Sequence, residues 1–226
     1  MAHYLELELE QIKAKIFEMA DFAIEAILRS IDSLSKGDVE GARRVIEDDS
    51  RLDKLEVEID DECIKVLVTK QPAAVDLRFV LAMLKINTDL ERIGDLATNI
   101  AKETIRLNGK PLLKPLIDIP RMADIGIEMI KHSLESIADK DALKAKKVIS
   151  CDSEIDHLNI QIFRELFSFM AENPRSLSQS FGLIMIAKAL ERIGDHATNI
   201  AERAIYYIEG VDVRGMESGF CDEGNE

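Results

Sequence analysis

Leu5, Leu9, Ile12, Ile16, Met19, Ala23 and Ala26 recur at alternating steps of four and three residues, the period of a helix with one buried face. This stripe predicts a first helix ending near Ser35, where Lys36-Gly37 stops it and Asp38 stands ready to cap the next. A second helix is predicted from Val39 to Lys70, with Val45, Leu52, Leu55, Ile59 and Val66 inward, and Gln71-Pro72 breaks it. A third, from Ala73 to Leu107, turns Phe79, Met83, Ile86, Leu90, Ile93, Ala97 and Ile100 inward. Helices of this size are about 45 Å long, and three of them make one bundle.

Asn108-Gly109-Lys110-Pro111, followed by Pro115 and Pro120, interrupts the periodicity. The pattern then restarts. Val148-Ile149, Asp152-Ser153 and Asp156 answer Val45-Ile46, Asp49-Ser50 and Asp53, while Asp141 answers Asp38 as a cap. The repetition is clearest in Leu90-Glu91-Arg92-Ile93-Gly94-Asp95-Leu96-Ala97-Thr98-Asn99-Ile100-Ala101, which returns 100 residues later with one change, His196 for Leu96. A buried face alone tolerates exchange among apolar residues and would not preserve Glu, Arg, Gly, Asp, Thr and Asn in place. The chain therefore reads as a duplication. The fold expected is all-α, with six long helices in two tandem three-helix-bundle repeats spanning 1–108 and 121–209, joined by a linker at 109–120. A Gly-rich acidic tail at 210–226 lacks periodicity and is expected to be disordered.

The chemistry of the repeated block lies on its polar side. At about 100° per residue, Glu91 and Asp95 lie about 40° apart, opposite the Leu90–Ile93–Ala97–Ile100 stripe. Two like charges four residues apart destabilise a helix by a few tenths of a kcal/mol, and Gly94 between them costs about 1 kcal/mol relative to Ala. Both penalties recur at Glu191, Gly194 and Asp195. Each repeat also carries an earlier pair at the same spacing, Asp49/Asp53 and Asp152/Asp156. A cation held by these eight carboxylates would relieve the repulsion. Oxygen-only donors suit magnesium, calcium, manganese or iron better than zinc. No histidine is in phase with the pairs, so an outer-face, solvent-accessible metal site is expected in place of a buried di-iron centre. Solvation alone is the competing account of such acids. His157 and His196 read as surface or neighbouring groups, not ligands. Arg92, Arg192, Asn99 and Asn199 read as structural.

The net charge of −14 argues against nucleic acid and against direct lipid binding, both of which call for basic surface. No grouping of basic residues along the chain marks an anion pocket. Cys63, Cys151 and Cys221 are an odd, scattered set that reads as reduced thiols in a cytoplasmic protein. No apolar run is long enough to span a bilayer.

The twin Glu-Arg-Ile-Gly-Asp-x-Ala-Thr-Asn-Ile-Ala blocks and the Asp-x-x-x-Asp pairs before them resemble the PhoU family, and the resemblance covers nearly all of the chain except the tail. It implies a cytoplasmic regulator of phosphate uptake, commonly a homodimer, that is not an enzyme. Its implied partners are the cytoplasmic subunits of the phosphate ABC transporter and a sensor histidine kinase. It also implies multinuclear metal, iron foremost with manganese, magnesium or zinc as alternatives, on Asp49, Asp53, Glu91, Asp95, Asp152, Asp156, Glu191 and Asp195. Asn159 and Phe163 stand where the first repeat has Glu56 and Asp60, so the second site is expected to hold fewer ions. The other functions weighed are a metal-dependent bundle-type oxidoreductase or hydrolase, and a metal-free helical scaffold.

Overall fold

In the computed structural model, which describes residues 2–108 and 112–213, the predicted stripes become the inner faces of long helices. The helices are α1 (Ala2–Lys36), α2 (Val39–Asp48), α3 (Ser50–Lys70), α4 (Ala74–Leu107), α5 (Asp118–Asp139), α6 (Ala142–Glu172) and α7 (Leu177–Glu209). Asp38 caps α2 by accepting from the Gly41 amide, and Asp141 caps α6 by accepting from the Leu143 and Lys144 amides. Among the described residues, no helix is long and apolar enough to cross a membrane.

The structure departs from the predicted elements at three points. The helix expected over Val39–Lys70 is divided at Asp49, between α2 and α3. Its carbonyl is shared between the Leu52 and Asp53 amides, and the Ser50 hydroxyl donates back to the Glu47 carbonyl. Short polar side chains in the run Asp48-Asp49-Ser50 compete with the helix ladder in this way. In the second repeat Cys151 stands in place of Asp48, and α6 is unbroken. At the linker, α5 begins at Asp118, taking the last three of residues 109–120 into its first turn, where Pro120 lacks only an N–H that has no helical partner anyway. After α7, Gly210 closes the helix at φ +75°, residues 210–212 are exposed and Val213 is buried. The remainder of the tail, with Cys221, lies outside the described residues.

The two repeats share one core. α4 and α7 run antiparallel through its centre. Phe79 meets Tyr207 edge-on at 5.3 Å between ring centroids, Asp89 meets His196 nearer the middle, and Leu107 packs on Gly182 at the far end. Ile86, Leu90, Ile93 and Ile100 of α4, together with Ile186, Leu190, Ile193 and Ile200 of α7, are buried in a single cluster with side chains from α1, α3, α5 and α6. Each such side chain stabilises the fold by roughly 1.5–3 kcal/mol. α4 and α7 are therefore buried well beyond their predicted stripes, because each packs on its own repeat and on the other.

Candidate functional site

Gly94 and Gly194 show what the repeated block is for locally. A Cβ built on Gly94 would stand 2.4 Å from Leu52 Cδ1 and 3.5 Å from Asp49 Oδ1. One built on Gly194 would stand 2.9 Å from Ile155 Cδ1 and 3.4 Å from Asp152 Oδ1. In each repeat the missing side chain lets the neighbouring helix close onto the block and carries its first aspartate against it. The acids consequently lie in the grooves between α3 and α4 and between α6 and α7, where the sequence had suggested an outer helix face. The side chain of Glu91 is 17% exposed and that of Glu191 14%, whereas Asp95 is open at 44%.

Crowding and partial burial leave Asp49, Glu56, Glu91, Asp152 and Asp195 reluctant to ionise. Burial raises the Asp49 carboxyl, with the charges of Asp53 and Asp95 adding to it. Burial, then Asp95, raises Glu91, and burial, then Asp60, raises Glu56. In the second repeat, burial followed by the charges of Asp156 and Asp195 pushes Asp152 up to about 6. Asp195 is raised by burial and by Glu191. The fields thus join the predicted pairs across the helices: Asp49/Asp53 with Glu91/Asp95, and Asp152/Asp156 with Glu191/Asp195.

The neutralising cations differ between repeats. Arg92 reaches Glu91 at 3.3 Å and Asp95 at 3.2 Å. In the second repeat that duty falls to Lys188, which pairs with one oxygen of Glu191, while Arg192 lines a cavity between α4 and α7. The other Glu191 oxygen, Oε2, is buried and has no hydrogen-bond partner. A buried carboxylate oxygen without a donor is costly, and an oxygen-liganded cation would satisfy it. The donor set therefore fits a hard cation in its chemistry. As the side chains stand, no three His, Cys, Asp or Glu groups among the described residues gather into a metal-ready cluster, so holding an ion calls for rotamer changes.

Several contributions were missed at the level of sequence. Asn87, fully buried beside the α4 stripe, donates to Asp60 Oδ1 at 2.9 Å and to the Glu56 carbonyl. Its counterpart is Ala187, just as the counterpart of Asp60 is Phe163. The polar pair of one repeat is thus an apolar pair in the other, and that joint exchange was the available signal. His196, read as a surface or neighbouring group, instead ties the repeats together. Its Nδ1 lies 2.9 Å from Asp89 Oδ1, which also accepts from Asn199 Nδ2 at 3.3 Å. His157 is exposed, with Nδ1 against the Ser153 carbonyl. Burial pushes the Cys63 thiol up to about 12, so it is an inert core group.

The raised carboxyls fix a pH dependence. The folded state holds the Asp152 proton more tightly than an unfolded chain, whose value is near 3.8. Its contribution is therefore full below that value and is lost as pH rises through about 6. Metal-free protein is expected to melt at lower temperature at pH 7.5 than at pH 5, with Asp152→Asn flattening the fall. Thermal denaturation across this range checks it, and a melting temperature that climbs from pH 5 to 7.5 contradicts it.

The comparisons agree with this architecture. A family profile described as "PhoU domain" matches residues 16–104 and 119–204, once per repeat. A phosphate-specific transport system accessory protein PhoU homolog from Aquifex aeolicus is 43% identical over 207 residues, covering 92% of this chain and 94% of its own. The Burkholderia homolog of the same description is 36% identical, covering 95% and 92%. The crystal structure of PhoU from Pseudomonas aeruginosa superimposes with a TM-score of 0.87 at 33% identity, covering 91% of this chain and 99% of that one. The phosphate transport system regulatory protein PhoU from Streptococcus pneumoniae superimposes at 0.86 with 26% identity, covering 92% and 99%.

Proposed function

Because the chain belongs to the PhoU family, we propose that it is an accessory regulator of phosphate transport, working in the cytoplasm as a cation-loaded adaptor and not as an enzyme. The observation that carries the cation is the pair of carboxylate grooves, each closed over a glycine, with the Glu191 Oε2 buried and unpartnered in one of them. Asp49, Asp53, Glu91 and Asp95 would hold ions in the first repeat, and Asp152, Asp156, Glu191 and Asp195 in the second, iron foremost. What the ion supplies is charge: each divalent cation offsets about two carboxylates and stiffens the contact between the two helices that bear them.

The partners are the cytoplasmic subunits of the phosphate transporter and a sensor histidine kinase, approached by a homodimer through protein surface. At −14 the chain has no electrostatic reason to settle on anionic lipid. Protein contact is supported by matched apolar positions left outward on both repeats, Val57 and Ile64 on α3 and Ile160 and Phe167 on α6. Phe163 adds a ring stacked on Phe167 at 6.3 Å. Outward apolar residues repeated in this way suit an interface.

The test is a calorimetric titration of the transporter's cytoplasmic subunits with metal-loaded protein and with a variant neutralised at all four acid pairs. Loaded protein is expected to bind at least tenfold tighter. Equal affinity, or binding to bare anionic vesicles as tight as to the subunits, contradicts the proposal.

A further inference from the structure

The seam between α4 and α7 is pseudo-symmetric, and its two halves are filled differently. On one side of the crossing, Asp89 of the first repeat meets His196 and Asn199 of the second. The matching positions on the other side are Ala189, Leu96 and Asn99. A methyl group and an isobutyl group stand there in place of a carboxylate and an imidazole, and the result is a cavity of about 340 Å³. It is lined by the apolar side chains of Leu96, Ala189 and the exposed Met185, together with Lys102 from α4 and Lys188 and Arg192 from α7. The acid on the wall, Glu103, is already engaged by Arg106 at 2.7 Å.

Three cations around one cavity are conspicuous in a chain of −14. Lys188 is shared with Glu191, while Lys102 and Arg192 form no salt bridge among the described residues. Lys102 lies close enough to Asp49 for its charge to favour that carboxylate, as Lys188 does for Asp195, but apart from Glu103 no acid lines the cavity itself. The space exceeds what one tetrahedral oxyanion fills and falls at the lower end of small-molecule pockets. An arginine fork and two ammonium groups on opposite walls suit an anion with two or more charges at one end. The apolar side chains suit an organic body.

We infer that this cavity binds a small organic anion carrying at least two negative charges, its phosphate or carboxylate end on Lys102, Lys188 and Arg192 and its body on Leu96 and Met185. The inference does not rest on the adaptor reading, although the cavity borders the acid grooves through Lys188, which also pairs with Glu191, and Lys102, whose charge reaches Asp49. The basic lining contrasts with the sequence, in which no grouping of basic residues marks an anion pocket. The cations come from different repeats, more than 80 residues apart in sequence, so no local run could show them.

The test is calorimetric titration of the full chain, freed of metal, with ATP and with citrate at fixed ionic strength, with inorganic phosphate in a parallel arm. At least one organic anion is expected to bind with 1:1 stoichiometry and at least tenfold tighter than inorganic phosphate. Arg192→Gln is expected to weaken that binding tenfold or more. Ala189→Asp, which gives the cavity its own carboxylate as Asp89 does opposite, is expected to do the same. Lys85→Gln removes an exposed charge at the position matching Met185 and should change affinity less than twofold. Absence of binding by both organic anions at millimolar concentration overturns the inference. So does inorganic phosphate binding as tightly as they do, or Arg192→Gln losing no more than Lys85→Gln.

Discussion

Gly94→Leu is expected to destabilise the protein by about 3 kcal/mol or more, and Gly94→Ala by about 1–2 kcal/mol. In an open helix the alanine would instead add roughly 0.5–1 kcal/mol through its helix propensity. Here its Cβ would stand 2.4 Å from Leu52 Cδ1, and Leu52 is itself 3% exposed, so the clash falls within the packed core. To make room, the Leu52 side chain has to swing within that core or α3 has to lift away from α4. The second repeat gives an internal comparison. At Gly194 the nearest atom, Ile155 Cδ1, is 2.9 Å from the built Cβ, a smaller overlap in an equally buried setting. Gly194→Ala is therefore expected to be milder than Gly94→Ala by about 1 kcal/mol. Urea denaturation of the two variants at one pH measures the difference. A Gly94→Ala protein more stable than its parent would show that the glycine has no packing role.

This close approach was half visible in the sequence. The recurrence of a costly glycine between two acids indicated that something must come near, but not which residue or from which side. The stripes gave the helices, Asp38 and Asp141 gave two caps, and the twin blocks gave the duplication. Those features are local, set by residues within one or two turns. What escaped was non-local or a balance of local competitors. The division at Asp49 falls beside Glu47-Asp48, where the second repeat has Ser150-Cys151 and an unbroken helix. The merging of the repeats along α4 and α7 depends on faces whose small and apolar residues, Ala82 and Leu96 among them, look like ordinary helix filler. The Asp89–His196 bridge and the cationic cavity each combine residues of both repeats, and periodicity within one helix carries no record of its partner in the other. The charges of the eight predicted acids act on one another within each repeat, yet the pairing of Glu91 and Asp95 with Arg92 and of Glu191 with Lys188 follows from side-chain reach that spacing does not specify.

The second large effect is all-or-none. Glu91→Gln with Asp95→Asn keeps the volume of the block and removes two of the charges that crowd Asp49, Asp53 and Glu56. It frees Arg92, whose side chain is 55% exposed, so the unpaired guanidinium stays hydrated at little cost. Metal-free protein carrying this double change is expected to be at least as stable as its parent where the acids are ionised, because like-charge repulsion has been removed. Its cation site, by contrast, should be gone. Glu191→Gln with Asp195→Asn should do the same to the second repeat, where Asn159 and Phe163 already replace two of the acids. The first-repeat variant should therefore lose more ions than the second-repeat variant. The direct measurement is elemental analysis of metal per chain for the parent and both double variants, purified without chelator. The account predicts metal in the parent, loss confined to the altered repeat in each variant, and the larger loss from Glu91→Gln/Asp95→Asn. Metal content unchanged in both variants would contradict it.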